Sequence, residues 1–306
     1  MGKEIKKDIY ITVFTPTYNR AQSIDRVFNS LKKQTYKNFE WIIIDDGSID
    51  NTKQIVEKYV EDGELNIQYI FHENHGKHYA INEAVDMAKG ELFLIADSDD
   101  EFVPESLKIF VEQWEKIPNT KKNTYKGITC RCIDVNGKLV GNKPIPEPYV
   151  DMRETDFKYK YKYKGELWGI IRTDVMKEFP FPTPEGLKFY PESVIWDKMA
   201  EKYTTRYINN SLRILYSDQE NATTVANRNN RFKENYILWK HYLNDLWEFR
   251  KYDKVSFLKA LIGINRDGIL AGKSKNEILL DIKRKNIRNI VSITYSIGFL
   301  MAKFDL

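Results

Sequence analysis

The first hundred residues switch four times between two hydrophobic periods, and this alternation limits the possible folds more than any other feature. "IYITVFTP" (9–16), "FEWIIID" (39–45), "IQYIF" (67–71) and "LFLIA" (92–96) are short apolar runs rich in β-branched and aromatic residues. Helical stripes lie between them: Ile24, Val27, Phe28 and Leu31 behind a candidate cap at Ser23, then Ile55, Val56, Tyr59 and Val60, then Ala80, Ile81, Ala84, Val85 and Ala88. Strands that are apolar at nearly every position must be covered on both faces. Helices on either side of a parallel sheet, joined by right-handed crossovers, provide that cover. The expected class is α/β, a Rossmann-like, mostly parallel sheet flanked by helices.

The rest of the chain reads less regularly. A helix is predicted over 104–116. Alternating runs in 128–141 flank Asn136-Gly137, a hairpin signal. Pro144, Pro146 and Pro148 mark a link. "FKYKYKYKGELWGII" (157–171) is predicted to be an amphipathic strand leading into a buried one, with lysines protecting a sheet edge. A helix is predicted over 193–203. From Arg231 onward the pattern is helical and aromatic-rich, and the polar stretch "ENATTVANRNNR" (220–231) divides the chain into 1–220 and a helical extension, 221–306.

Charge divides the same way. Residues 231–306 hold 15 Lys/Arg against 8 Asp/Glu, a net +7 in a chain whose total is +4, so the tail is suited to an anionic partner. "IVSITYSIGFLMA" (290–302) is uncharged but has only 13 residues, too few to span a bilayer. It reads as a buried terminal helix, or else as one lying in a membrane interface. Cys130 and Cys132 are too close for an ordinary disulfide and too few for a zinc site, so they are expected to be reduced structural thiols. "MGKEIKKDIY" shows no apolar leader, and Ile5 and Lys6 do not complete a myristoylation pattern after Gly2.

In an open parallel sheet, ligands bind beyond the carboxyl ends of the strands. Four such segments follow in order: Thr15-Pro16-Thr17-Tyr18-Asn19-Arg20, Asp45-Asp46-Gly47-Ser48, His72-Glu73-Asn74-His75-Gly76-Lys77 and Asp97-Ser98-Asp99-Asp100. Taken singly, Asp46 could cap a turn and Asp97 or Asp99 the helix after Pro104. Three carboxylates within four residues repel one another unless something offsets them. A divalent cation with oxygen ligands, Mn2+ or Mg2+, would do so. Asp45 can accept from a uracil-type N–H, Pro16 and Thr17 offer backbone groups, Tyr18 and Arg20 stand available to a base or phosphate, and Lys77 opens a helix where diphosphate oxygens would be held. His72, His75 and His78 straddle a strand–helix loop and are not expected to form a zinc site.

Together "TPTYNR", "IIIDDGSIDNT", "NHGKHYAINEA" and "LFLIADSDD" resemble a bacterial family 2 glycosyltransferase with the GT-A fold, over residues 9–105 and more loosely over 165–203. The resemblance implies that 1–220 is the nucleotide-sugar-binding and catalytic domain. It implies an inverting, metal-dependent enzyme that transfers a sugar, from a UDP-sugar in the first instance, to a hydroxyl of a glycan or lipid-linked saccharide. Asp97-Ser98-Asp99 matches the family's D-x-D motif. Asp99 is the first choice as direct metal ligand; Asp97 contacts ribose or sugar, or reaches the metal. The family's base lies in an acidic pair before a Trp-containing helix. Here "YPESVIWDKMA" supplies Glu192, with Pro191-Glu192 where the family has Glu-Asp, and Glu185 and Asp197 remain competitors. In "ILYSDQENATT", Asp218 and Gln219 stand where many relatives place a His, so a third protein ligand is not expected there. The resemblance also implies a bacterial surface-polysaccharide pathway. The expected partners are the donor, the acceptor and an anionic membrane, with no nucleic acid, and the expected location is the cytoplasm at the inner face of the cell membrane. Two other classes compete: a sugar-nucleotide nucleotidyltransferase, which would want glycines after the first strand where "TPTYNRAQS" has none, and a non-catalytic carbohydrate-binding protein.

Overall fold

The structure, a computed structural model, describes residues 10–216 and 231–304. Gly2, Ile5, Lys6, Asp218 and Gln219 lie outside the described residues. The chain forms two compact units: one runs to Lys188 and resumes at Ile195, and the other holds Phe189–Val194 and the C-terminal region.

In the first unit the four expected strands appear as β1 (Ile11–Thr17), β2 (Phe39–Asp45), β3 (Ile67–Phe71) and β4 (Leu92–Ile95), alternating with α1 (Ile24–Lys32), α2 (Thr52–Asp62) and α3 (Lys77–Met87). They pair in parallel in the order β3-β2-β1-β4. All seven residues of β2 are buried, as a strand covered on both faces requires. Its buried Glu40 is satisfied by the Thr12 hydroxyl (2.7 Å), the Gln68 amide (2.9 Å) and the Lys89 N–H (2.8 Å). On one face Phe28 stacks on Tyr59 at 3.9 Å and lies beside Trp41, whose indole N–H donates to Thr15 (2.9 Å). Truncating such a buried aromatic to Ala costs about 3–5 kcal/mol. The register sets Thr17 opposite Asp45, and Asp45 opposite Phe71, so three strands end level. β4 stops at Ile95, opposite Phe14, and residues 97–100 begin beside that rim.

The other half of the nine-stranded sheet is joined differently. β8 (Leu167–Arg172) runs antiparallel to β4, and β6 (Tyr125–Asp134) antiparallel to β8. β9 (Thr204–Leu215) runs parallel to β6 through several register shifts, and the short β5 (Glu101–Phe102) and β7 (Val150–Met152) pair with it antiparallel. Helices α4 (Ser106–Glu115), α5 (Asn119–Lys122), α6 (Glu154–Tyr159), α7 (Thr173–Glu178) and α8 (Glu192–Lys202) complete the order.

Residues 157–163 are not the amphipathic strand that their Lys/Tyr alternation suggests. Phe157–Tyr159 close α6, and Tyr161 and Tyr163 follow in irregular chain. Phe157 stacks on Tyr207 at 3.7 Å and lies 5.2 and 5.0 Å from Tyr161 and Tyr163. A local aromatic cluster, not a pleat, uses the period of two. The Asn136-Gly137 turn does form, with Gly137 at φ 77°, and the Val140 N–H reaches the Cys132 carbonyl (3.0 Å), but the pairing amounts to an isolated bridge between Ile133 and Leu139.

The second unit is helical: α9 (Phe232–Asn244), a 3-10 turn at Trp247–Lys251, α10 (Lys254–Leu270), α11 (Lys275–Leu280) and α12 (Lys285–Phe304). Its core gathers Tyr236, Leu243, Ala260, Ile264, Ile278, Ile282, Ile287 and Val291. α12 packs against α10 at Gly298, where an added Cβ would fall 2.5 Å from that of Asn265. Buried Asn265 donates to the Val291 carbonyl (2.9 Å) and to Thr294 (3.1 Å), fixing the helix pair. The uncharged stretch at 290–302 therefore lies within a helix that buries one side and exposes the other. Among the described residues no helix is long and apolar enough to cross a membrane.

Candidate active site

Hydrogen bonds tie the strand ends of the first unit to one another. Asp45 is fully buried; it accepts the Ser48 N–H (2.8 Å) and the Tyr69 hydroxyl (3.0 Å). Ser48 in turn accepts the Asn19 N–H (2.8 Å), and the Asn19 amide oxygen accepts the Ile49 N–H (2.9 Å), so the turns after β1 and β2 interlock. Asp46 accepts the N–H groups of His75 (2.7 Å) and Gly76 (2.8 Å), which fastens the loop before α3. Gly76 has φ 99°, and a Cβ there would fall 2.2 Å from the Lys188 carbonyl oxygen, so the site demands glycine. The following residue, Lys77, is delivered at the first position of α3.

The acidic segment has counter-charges within the protein. Asp97 accepts Lys77 on one oxygen (2.7 Å) and Arg213 on the other (2.9 Å). Arg213, on β9, also pairs with buried Asp100. Asp99 lies 3.6 Å from the Arg20 guanidinium, and Arg26 donates to its backbone carbonyl (3.1 Å). Burial pushes the Asp97 carboxyl up, but Lys77 and Arg213 outweigh it and hold the group well below the usual carboxylate range. Burial is also the largest influence on Asp100; with the charges of Asp97 and Asp99 it outweighs the pull of Arg213 and lifts this carboxyl to about 7.

This arrangement sorts the carboxylates as partners for a divalent cation. Asp97 has a cation on each oxygen and fits poorly as a ligand. Asp99 is partly exposed, offers a hard oxygen donor and fits as a single protein ligand, with diphosphate and water oxygens completing the shell. Among the described residues no three His, Cys, Asp or Glu side chains are grouped to hold a metal by themselves.

The other expected residues fall as follows. Pro16 and Thr17 end β1, Tyr18 is exposed just beyond it, and Ser98 is buried between the two acids. Together with Arg20, Asp45, Lys77, Asp97 and Asp99, they all lie in the first unit. Glu192 is the first residue of α8, half-buried, in the segment assigned to the second unit; Asp197 is buried and Glu185 exposed. The rings of His72 and His75 lie 5.4 Å apart with Tyr79 beside both, whereas His78 is buried. Sequence reasoning missed Arg213 and Arg26. The signal for Arg213 was a basic residue within "SLRIL", in a strand whose polar first half disguises it. Arg26 stacks on Tyr216 at 3.7 Å, and the Tyr216 hydroxyl donates to Glu101 (2.7 Å), closing the far side of the acidic segment.

Residues 12–162 match the model of the family described as glycosyl transferase family 2. The chain is 24% identical over 230 residues to the GalNAc(5)-diNAcBac-PP-undecaprenol beta-1,3-glucosyltransferase of Campylobacter jejuni, covering 73% of this chain and 70% of that one. It is 39% identical over 182 residues to the poly(ribitol-phosphate) beta-N-acetylglucosaminyltransferase TarS of Staphylococcus aureus. That match covers 58% of this chain but only 30% of TarS, so the chain spans less than a third of that relative's length. The crystal structure of TarS 1–349 in complex with UDP-GlcNAc superposes with a TM-score of 0.62 at 21% identity, covering 97% of this chain and 92% of that one. A mannosyltransferase from Pyrobaculum calidifontis, in complex with GDP-Man and Mn2+, gives 0.56 at 18% identity, covering 96% and 87%. These likenesses establish a shared architecture.

Proposed function

Through residues 12–162 the chain belongs to glycosyl transferase family 2, and from that premise we propose that it transfers a sugar from a UDP-sugar to a hydroxyl of a glycan or lipid-linked saccharide, with inversion and with a divalent metal. The observation that carries this reading is the rim itself: Arg20, Lys77, Asp97 and Asp99, which follow β1, β3 and β4, are joined by ion pairs around one acidic segment. The bound ligands of the two superposed enzymes, UDP-GlcNAc in one and GDP-Man with Mn2+ in the other, favour a nucleotide-sugar and a metal. The undecaprenol-linked substrate in the Campylobacter enzyme's name favours a lipid-linked acceptor.

In this reading Asp45, Pro16, Thr17 and Tyr18 hold the nucleoside, Lys77 and Arg20 hold diphosphate oxygens, and Asp97 and Ser98 hold ribose or sugar. Asp99 holds Mn2+ or Mg2+, which when bound supplies positive charge to the leaving diphosphate. Glu192 takes the proton from the acceptor hydroxyl as that oxygen bonds to the anomeric carbon and the bond from that carbon to the diphosphate oxygen breaks, releasing UDP. Lys77 and Arg213 hold the Asp97 carboxyl low, which keeps it from competing for that proton.

The experiment is a panel of nucleotide-sugars assayed for hydrolysis and for thermal stabilisation, with Mn2+, with Mg2+ and with chelator. The expected result is turnover and stabilisation by at least one UDP-sugar, lost with chelator. Consumption of a nucleoside triphosphate and sugar phosphate instead, or no response to any donor, overturns the proposal.

A further inference from the structure

α12 buries Ile287, Val291 and Gly298 in the second unit, and a different side of the helix faces outward. On that side Ile290, Ile293, Ile297, Leu300 and Phe304 recur at steps of three and four, which places them on one stripe. All five are exposed, Ile293 at 78% and Phe304 at 62%. An unbroken apolar stripe of this length on a surface marks an interaction site. The charges on the helix are Lys285, Arg288 and Lys303; between residues 285 and 304 there is no Asp or Glu. Lys285 and Lys303 form no ion pair with an acid among the described residues, whereas Lys283 and Arg284, just before the helix, pair with Asp245 and Glu248.

We propose that this stripe docks α12 flat into the headgroup–acyl boundary of an anionic lipid bilayer. A one-sided apolar stripe bordered only by cations is what such a surface takes up: the acyl boundary receives the isoleucines, and acidic headgroups meet the lysines. The helix is not long and apolar enough to cross instead. A second copy of the chain is the competing occupant, since steps of three and four also describe a coiled-coil seam. The positions bordering such a seam are Ile287, Asn289, Thr294, Ser296, Met301 and Lys303, which include one cation and no acid. Two copies would find no opposite charge along the seam to pair and fix their register. The inference rests on the proposed lipid-linked acceptor for its purpose, and gives that reading a physical seat.

The test is flotation of the full chain with phosphatidylcholine vesicles, with and without phosphatidylglycerol. Wild type is expected to float with the anionic vesicles. Ile293→Asp/Ile297→Asp should lower the bound fraction about tenfold or more, with the melting temperature and donor hydrolysis unchanged. Lys285→Glu/Lys303→Glu should lower binding to anionic vesicles only. The proposal is overturned if wild type stays at the bottom, if the isoleucine variant floats equally well, or if size-exclusion chromatography shows a dimer that this variant disperses. Failure of the glycosyltransfer reading would look different: a protein that floats normally and turns over no donor.

Discussion

At the scale of single residues, the acidic segment shows how like charges share a small space. Asp97, Asp99 and Asp100 do not rely on an added ion for neutrality, because Arg213, Lys77 and Arg20 already stand against them. This separates two roles that the D-x-D pattern merges. Asp99→Asn is expected to abolish stabilisation by UDP with Mn2+ and to lower donor turnover by about a hundredfold or more, with little change in melting temperature. A melting curve that collapses would assign Asp99 to structure. Arg213→Met leaves buried Asp100 without its counter-charge and Asp97 with Lys77 alone, and should destabilise the first unit by about 3–5 kcal/mol, measured by urea unfolding. The three acids were legible in the sequence, since residue type and order sufficed. Their partner was not, because ion pairing across 116 residues depends on a strand that local pattern does not announce.

A second residue-scale prediction concerns acid. Asp245 is raised by burial, but hydrogen bonds from His241 (3.0 Å) and Lys283 (3.0 Å) outweigh this and lower it to about 2. A carboxyl depressed in the folded state adds stability above its unfolded pKa and loses it as pH falls toward the folded value. The second unit should therefore weaken between about pH 4 and pH 2, by at most about 2 kcal/mol before solvent screening is counted. Asp245→Asn should flatten that slope in acid-unfolding curves; an unchanged slope would place the loss elsewhere.

At the scale of elements, β1, β2 and β4 were legible because parallel strands sealed on both faces are apolar at almost every position, the half-buried edge strand β3 because its run is β-branched and aromatic, and α1 to α3 because each carries a clear stripe. The antiparallel half was not. β9 reads "TTRYINNSLRIL", with polar residues where register shifts against β6 interrupt the pleat. The alternation at 157–163 misled for the opposite reason: aromatic stacking around Phe157 and Tyr207 imitates a strand. Gly76 tests the join between loop and helix. Gly76→Ala sets a Cβ against the Lys188 carbonyl at a positive φ, so a loss of about 2 kcal/mol or more is expected, together with weakened UDP binding as Lys77 shifts. Unchanged affinity in calorimetry would detach Lys77 from the donor.

At the scale of the whole molecule, two units with separate cores should not melt as one cooperative block. Calorimetry is expected to resolve two transitions. Gly298→Leu, which forces a side chain between α10 and α12, should lower one of them and leave the other in place; a single transition moving as a whole would refute the division. The tether from β9 to the acidic turn also has a consequence in time. A ribosome makes this protein amino end first, and Asp97 emerges 116 residues ahead of Arg213. Until the later segment arrives, Asp97 has Lys77 alone and Asp100 lacks the guanidinium it pairs with, so the acidic turn cannot be completed before β9 has been made.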